Sequence, residues 1–102
     1  MELLPEALRK QLPALYATEQ EEDHLVICKF FYPSHPWSWY AIEFDGQDIF
    51  FGWVDGPYPE LGYFSLAEMM STRDKLGCPI ERDVYFRPCR LSKLKAGLAR
   101  NQ

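Results

Sequence analysis

The amino-acid sequence predicts an α+β domain built on a mostly antiparallel sheet of about five strands. Runs of β-branched and aromatic residues alternate with short turn sequences through the middle of the chain, which is typical of consecutive antiparallel strands. Helix formers and helix-ending residues stand before, inside and after that region. The predicted order is therefore a helix, four strands, a helix, a strand and a helix. We expect the whole chain, residues 1–102, to form a single domain.

A short N-terminal helix is predicted first. Pro5 suits a first helical turn, and strong helix formers follow it as far as Leu12. Leu4, Leu8 and Leu12 recur every four residues, which predicts a buried stripe along this helix. Residues 14–23 end in an acidic cluster and predict a solvated loop.

Four strands are predicted next, because β-forming runs are separated by sequences rich in Pro, Gly and Asp. The segment Asp45-Gly46-Gln47-Asp48 has the length and composition of a hairpin turn. The predicted strands are residues 24–32, 37–44, 49–54 and 60–64.

A second helix is predicted to begin at Ser65, because Ser65 and Glu68 fit the capping-box pattern. Gly77 is placed to end this helix after Leu76, and Pro79 prevents its continuation.

The remaining residues predict one strand and one helix. Charged and apolar residues alternate over residues 80–86, as they do in a half-exposed strand. Leu91, Leu94 and Leu98 have helical spacing, which predicts a short C-terminal helix that frays after Gly97.

The aromatic residues raise a question about the two sheet faces. Strict alternation along the second strand puts Trp37, Trp39 and Glu43 on one face and Tyr40 and Phe44 on the other. If helices cover both faces, every ring belongs to a core. If they cover one face, the other is an exposed aromatic patch of the kind that marks an interaction surface. The candidate residues of such a patch are Trp37, Trp39 and Trp53.

Charge is distributed unevenly along the chain, whose net charge is -4. Residues 1–70 carry three basic and twelve acidic side chains, whereas residues 71–102 carry eight basic and three acidic ones. An acidic, aromatic surface attracts a protein partner with a basic surface and repels phosphates, so we do not expect nucleic acid there. Alternatively, the two parts fold over one another and neutralise locally.

Catalytic motifs are missing from the sequence: it has no phosphate-binding glycine loop, no HExxH and no nucleophile elbow. We therefore assign no catalytic residue and no cofactor. His24, Cys28 and His35 lack the close pairing of zinc ligands, so we expect no metal site. Carboxylates at neighbouring turns could converge, although turn chemistry explains the Asp-Gly pairs equally well. These carboxylates are Asp45, Asp48, Asp55 and Glu60.

The sequence also bears on the cellular compartment. No segment approaches the roughly 20 apolar residues of a membrane span, and the first residues lack the pattern of a secretory signal. Cys28, Cys78 and Cys89 are an odd number of cysteines at wide spacing, which predicts reduced thiols. We therefore expect a cytoplasmic protein that does not contact a membrane.

Several motifs are similar to those of a known bacterial family. The most specific are Pro59-Glu60-Leu61-Gly62-Tyr63-Phe64-Ser65 and Ile80-Glu81-Arg82-Asp83, and Trp37-Ser38-Trp39-Tyr40 adds to them. On these motifs the chain resembles the domain-of-unknown-function family number 2958, from about Leu4 to Leu94. The resemblance implies a setting in plasmids, phages and integrative elements. It implies no activity and assigns no functional residue.

Three functional hypotheses follow. The leading one is a non-enzymatic protein-interaction module that serves as an accessory factor of a mobile element and binds a partner with a basic surface. The second is a small enzyme or ligand-binding protein, for which Glu60, Arg82 and Asp83 must converge on a pocket. The third is nucleic-acid binding through Arg87, Arg90, Lys93 and Lys95. The candidate binding residues are Trp37, Trp39, Trp53, Glu60, Tyr63, Arg82 and Asp83.

Overall fold

The computed structural model describes residues 1–100, with side chains as far as residue 98. Within that range the chain forms three helices and seven strands. The helices are α1 (Glu6–Arg9), α2 (Leu66–Ser71) and α3 (Leu91–Arg100). The strands are β1 (Leu25–Val26), β2 (Cys28–Tyr32), β3 (His35–Phe44), β4 (Ile49–Asp55), β5 (Glu60–Ser65), β6 (Glu81–Arg82) and β7 (Cys89–Arg90).

A five-stranded antiparallel sheet lies at the centre of the molecule, with the strand order β5-β4-β3-β2-β6. Strands β2 to β5 are neighbours both along the chain and in the sheet because short turns join them. Strand β6 returns to pair with β2 at the far edge, and β1 with β7 forms a separate two-stranded sheet. The predicted α+β class is confirmed.

One sheet face, called here the N-terminal face, is covered by the start of the chain and by α2. Burying its rings and aliphatic side chains removes apolar surface from water, which is the main stabilising term of such a core. Rings stack closely here, since the centroids of Phe44 and Phe50 are 4.6 Å apart and those of Phe50 and Phe64 are 5.1 Å apart. The buried residues of this core include Leu3, Leu4, Leu12, Cys28, Phe30, Ala41, Phe44, Phe50, Met69 and Ile80.

The opposite face, called here the C-terminal face, is covered by α3. Tyr40 and Ile42 are buried there against Val26 and Leu91, and Phe51, Trp53, Leu94 and Leu98 pack around them. Both faces of the sheet therefore carry a core, which accounts for most of the aromatic residues.

The loop before β1 holds α3 in place on the C-terminal face. Asp23 accepts hydrogen bonds from the Ser92 hydroxyl (2.6 Å) and the Ser92 backbone N–H (2.9 Å), and these bonds lower the pKa of Asp23. Arg90 lies 3.3 Å from the Glu21 carboxylate. The acidic and basic parts of the chain therefore meet at this ion pair.

A β-bulge interrupts the pairing of β3 with β4. Ala41 pairs with Gly52 and Glu43 pairs with Phe51, so Ile42 is an extra residue without a partner. The bulge shifts the alternation of side chains by one residue along the rest of β3.

This shift changes the environment of two side chains. Strict alternation predicted Glu43 on the face of Trp37 and Trp39, and Phe44 on the opposite face. The prediction is wrong for both, because the bulge places Phe44 in the core of the N-terminal face and Glu43 beside Phe51 on the C-terminal face.

Helix α2 begins as predicted and ends early. The Ser65 hydroxyl accepts a hydrogen bond from the Glu68 backbone N–H (3.2 Å), as in a capping box. The helix ends at Ser71 rather than Leu76, because Thr72 is already extended and its hydroxyl donates to the Glu68 carbonyl.

Two other predicted elements are altered. The strand predicted over residues 24–32 is divided at Ile27 into β1 and β2. The strand predicted over residues 80–86 keeps only β6, since the Asp83 carboxylate accepts from the Tyr85 backbone N–H (3.0 Å) and turns the chain. Strand β7 was not predicted.

Helix α3 begins at Leu91 as predicted, and it extends through Gly97 to Arg100. Within residues 1–100, none of the helices combines the length and apolar character needed to cross a membrane.

Gly52 provides a test of the bulge. A Cβ at this position would lie 2.0 Å from the Tyr40 carbonyl oxygen, and that backbone atom cannot move without breaking the sheet. We expect Gly52→Ala to lower the free energy of unfolding by about 2–3 kcal/mol in urea denaturation. As the control, Gly97→Ala in α3 places a Cβ where it meets nothing within 4 Å. That variant should be more stable by about 0.5–1 kcal/mol. Wild-type stability in Gly52→Ala would contradict the bulge.

Candidate functional site

An open cavity lies at the end of the N-terminal face where β3 begins. The indole rings of Trp37 and Trp39 stack there, with centroids 5.8 Å apart and planes inclined by 18°. The cavity beside them has a volume of about 640 Å³ and extends to the edge strand β5. We call it the aromatic groove, and its lining includes Trp37, Trp39, Tyr58, Glu60, Gly62 and Glu68.

The two indoles are held in place by their neighbours. The pairing of β2 with β3 shifts register here, so that Tyr32 pairs with His35 and Trp37 bulges from the ladder. The Trp37 indole packs on Gly56, where a Cβ would lie 2.8 Å from the ring. The Tyr32 ring meets both indoles edge-on, at 6.4 Å from Trp37 and 5.3 Å from Trp39. The aromatic wall is therefore preorganised.

The groove has an acidic side. Glu60 and Glu68 are both exposed, and neither forms an ion pair with another residue in the part of the chain that the structure describes. A second cavity of about 480 Å³ also touches Trp37, and its lining includes Arg73, Asp74 and Lys75. Trp37 therefore lines two cavities, of which the second has both acidic and basic residues in its lining.

Four of the seven candidate binding residues are brought together. Trp37, Trp39 and Glu60 line the aromatic groove, and Tyr63 borders it although its ring packs on Phe51 on the C-terminal face. Because they come from β3 and β5, which lie on either side of β4, only the sheet pairing makes them neighbours.

Trp53 lies elsewhere. Trp39 pairs with Val54, which puts Val54 on the groove side and Trp53 on the C-terminal face opposite Tyr40. There the Lys95 ammonium lies 4.1 Å from the centre of the Trp53 ring. The expectation that Trp53 shares a face with the other two tryptophans is therefore wrong.

Glu60, Arg82 and Asp83 do not converge. Glu60 is in β5 and Arg82 is in β6, and these strands form opposite edges of the sheet. The Arg82 guanidinium donates to the carbonyls of Glu2 and Leu3, and Asp83 pairs with Lys29 at 3.9 Å. The pocket required by the enzyme or ligand-binding hypothesis is therefore not formed by these three residues.

The turn carboxylates Asp45 and Asp48 hold the backbone. Asp45 accepts hydrogen bonds from the backbone N–H groups of Gln47, Asp48 and Ile49, at 2.7 to 3.0 Å. Asp48 accepts from the Ser65 hydroxyl (2.7 Å) and so supports the start of α2. Over residues 1–100, no three His, Cys, Asp or Glu side chains are grouped as metal ligands would be.

A further polar cluster, which the sequence analysis did not single out, lies at the bulge. The Glu43 side chain is only 3% exposed and accepts from the backbone N–H groups of Tyr16 (2.8 Å) and Thr18 (2.9 Å) and from the Thr18 hydroxyl. The Thr18 hydroxyl also lies 3.2 Å from His24 Nδ1. We call this arrangement the Glu43 clamp, because it fastens the loop of residues 14–23 to the sheet.

The protonation of Glu43 follows from these contacts. Burial by itself raises the pKa of this carboxyl, but the hydrogen bonds from Thr18 and Tyr16 outweigh burial and lower the pKa below its usual 4.5. Glu43 is therefore an ionised structural anchor. The one signal in the sequence was a charged residue within the otherwise apolar run of residues 41–44.

Comparison with known proteins bears on the whole chain. A family model described as "Protein of unknown function (DUF2958)" matches residues 3–101. The chain belongs to this family. The resemblance seen in the sequence motifs is confirmed, and the match covers the aromatic groove and the Glu43 clamp of this DUF2958 member. No curated protein and no solved structure matches the chain.

The Glu43 clamp predicts a pH dependence for this DUF2958 member. Because its pKa is lower in the folded chain than the usual 4.5, ionised Glu43 stabilises the fold above that value and loses this effect as the pH falls through the folded pKa. We expect Glu43→Gln to lower the free energy of unfolding at neutral pH by about 1.5–3 kcal/mol. The difference from the wild type should shrink as the pH falls below 4.5.

Urea denaturation at a series of pH values measures this effect. Glu22→Gln is the control, because Glu22 is an exposed carboxylate of the same loop. That substitution should change the free energy of unfolding by less than about 0.5 kcal/mol. A Glu43→Gln difference that stays constant on acidification would contradict the clamp.

Proposed function

We propose that this protein is a non-enzymatic interaction module that binds a basic segment of a partner protein in the aromatic groove. The observation that carries the proposal is the position of the stacked Trp37 and Trp39 rings beside the carboxylates of Glu60 and Glu68. Rings supply apolar contact area, and unpaired carboxylates supply charge selectivity.

The shape of the groove supports binding. Sites for small molecules and side chains usually have volumes of about 300–1,000 Å³, and the groove measures about 640 Å³. Tryptophan and tyrosine dominate binding energy at many interfaces, because they bury a large area at a low cost in conformational entropy. Contacts with Tyr32 and Gly56 already hold Trp37 and Trp39 in place. Binding a partner therefore costs these two side chains little conformational entropy.

The charges favour a basic occupant. Glu60 and Glu68 attract lysine and arginine side chains, and such cations also bind favourably over an indole face. The protein contains an example of the second contact, in which Lys95 lies over the Trp53 ring. A segment that carries a basic residue next to an apolar one can satisfy both the carboxylates and the rings.

The proposal includes a cellular setting. Cys28, Cys78 and Cys89 are free thiols, which suits the reducing cytoplasm. We propose that the protein acts in bacteria as an accessory factor of a plasmid, phage or integrative element, which is the setting that the motif resemblance implies. In that setting the partner is a protein with a basic surface.

Selection from a random library of short displayed peptides tests the proposal. We expect the folded protein to enrich peptides in which lysine or arginine stands beside an aromatic or aliphatic residue. In titration calorimetry, Trp39→Ala should weaken binding of the selected peptide at least tenfold, because truncating an interface anchor costs about 1.4 kcal/mol or more of binding free energy. The double substitution Glu60→Gln and Glu68→Gln should weaken binding and reduce its dependence on salt.

Matched variants separate binding from folding. Gly62→Val adds a side chain to the groove at a position where a Cβ meets nothing within 4 Å, so the fold should stay stable. Because the added side chain occupies the groove, it should weaken binding of the peptide. Tyr85→Ala removes an exposed ring outside the groove and should leave affinity unchanged. Failure to enrich any peptide, or equal binding by the wild type and Gly62→Val, would count against the proposal.

A further inference from the structure

The outer side of β5 is an open sheet edge. All six residues of β5 pair with β4 on one side, and within residues 1–100 no strand pairs with the other side. In an antiparallel strand every second residue directs its N–H and C=O groups away from the neighbour. Strand β5 therefore presents a row of outward backbone donors and acceptors along the groove.

The opposite edge of the sheet is closed. Strand β6 has only two residues, and its Arg82 backbone N–H donates to the Met1 sulfur at 3.2 Å. The Arg82 side chain also holds the carbonyls of Glu2 and Leu3 over this edge. Short length and coverage are common ways in which proteins protect a sheet edge from further pairing.

Apart from the charged Glu60 at its first position, the β5 edge has none of the usual protection. The strand contains neither lysine nor proline, and its register with β4 runs without a bulge from Glu60 to Ser65. Its apolar side chains are partly open, since Leu61 is 41% and Tyr63 is 56% exposed on the C-terminal face. On the other face, Gly62 leaves the space above it empty.

We infer that the partner binds as an extended segment that adds a sixth strand to β5 and directs every second side chain into the aromatic groove. This inference rests on the proposed function and specifies its binding mode. Main-chain hydrogen bonds to β5 supply affinity, and the groove selects the side chains of alternate residues. The other side chains of the added strand cover Leu61 and Tyr63.

The occupant is a basic segment and not a second copy of this chain. Glu60 lies in β5 itself and Glu68 follows in α2, so both carboxylates stand beside the open edge. A second copy that paired through β5 would bring a second set of these carboxylates to the same edge. Like charges in such positions repel one another, whereas a segment with lysine or arginine at alternate positions neutralises them.

Two measurements on the full chain test the inference. Both use a peptide from the displayed library that binds in the aromatic groove. Amide hydrogen exchange should show that alternate residues of β5 exchange at least about tenfold more slowly in the complex, because the added strand accepts their N–H groups. The amides of β6 and α3, which lie away from the groove, serve as internal controls.

Backbone methylation of the peptide is the second measurement. Two versions carry N-methyl groups on alternate residues, one in each of the two possible phases. Only every second N–H of an added strand faces β5, so one version should lose affinity at least about tenfold and the other should bind like the parent.

The outcomes separate this inference from the proposed function. In one outcome, the peptide binds through the groove while the β5 amides stay unprotected and both methylated versions bind equally. That result would contradict the added strand and would leave the proposed binding in the groove intact. If no peptide binds, the proposed function fails and this inference fails with it. If the β5 amides become protected without peptide, in step with dimers seen by sedimentation velocity, the occupant is a second copy and the inference is overturned.

Discussion

The β-bulge at Ile42 is the feature on which the covering of both sheet faces depends. It determines which side chain of β3 lies beneath the loop of residues 14–23. By shifting the alternation of β3, it moves Glu43 under that loop, where the carboxylate accepts from Tyr16 and Thr18. The fastened loop ends at Asp23, whose carboxylate holds the start of α3. A single unpaired residue in one strand is thereby linked to the helix that covers the C-terminal face.

With a core on each face, the surface left for binding is limited. The rings of Phe30, Phe44 and Phe50 serve the fold, and Trp53 is screened by α3 and Lys95. What remains open is the end of the sheet where Trp37 and Trp39 stack, together with the edge of β5. These two features adjoin each other, and the Trp37, Trp39 and Glu60 side chains are carried by strands, which gives the candidate site a fixed geometry.

Sequence patterns predicted much of the fold and part of the candidate site. The capping box at Ser65 and the hairpin turn at Asp45 are local, so their residue types were sufficient to place α2 and the β3–β4 turn. The groove residues Trp37, Trp39 and Glu60 were singled out by aromatic and acidic character in one segment. Trp53 was misplaced because only the register of β3 with β4 shows which residue stands beside Trp39. Arg82 and Asp83 carried a specific motif, but their partners are backbone carbonyls and a lysine.

The sequence by itself determined the class of fold, the order of the three helices and of the strands of the main sheet, and the acidic, aromatic character of the segment that forms the groove. Secondary-structure propensity, helix capping and turn chemistry each depend on a few consecutive residues, so they can be predicted from one amino-acid sequence. Tertiary structure alone decided the bulge at Ile42, the buried anchor Glu43, the separation of Glu60 from Arg82 and the contrast between the two sheet edges. Each of these depends on how residues far apart in sequence pair across the sheet, and a shift of one residue in that pairing reverses the face on which a side chain lies.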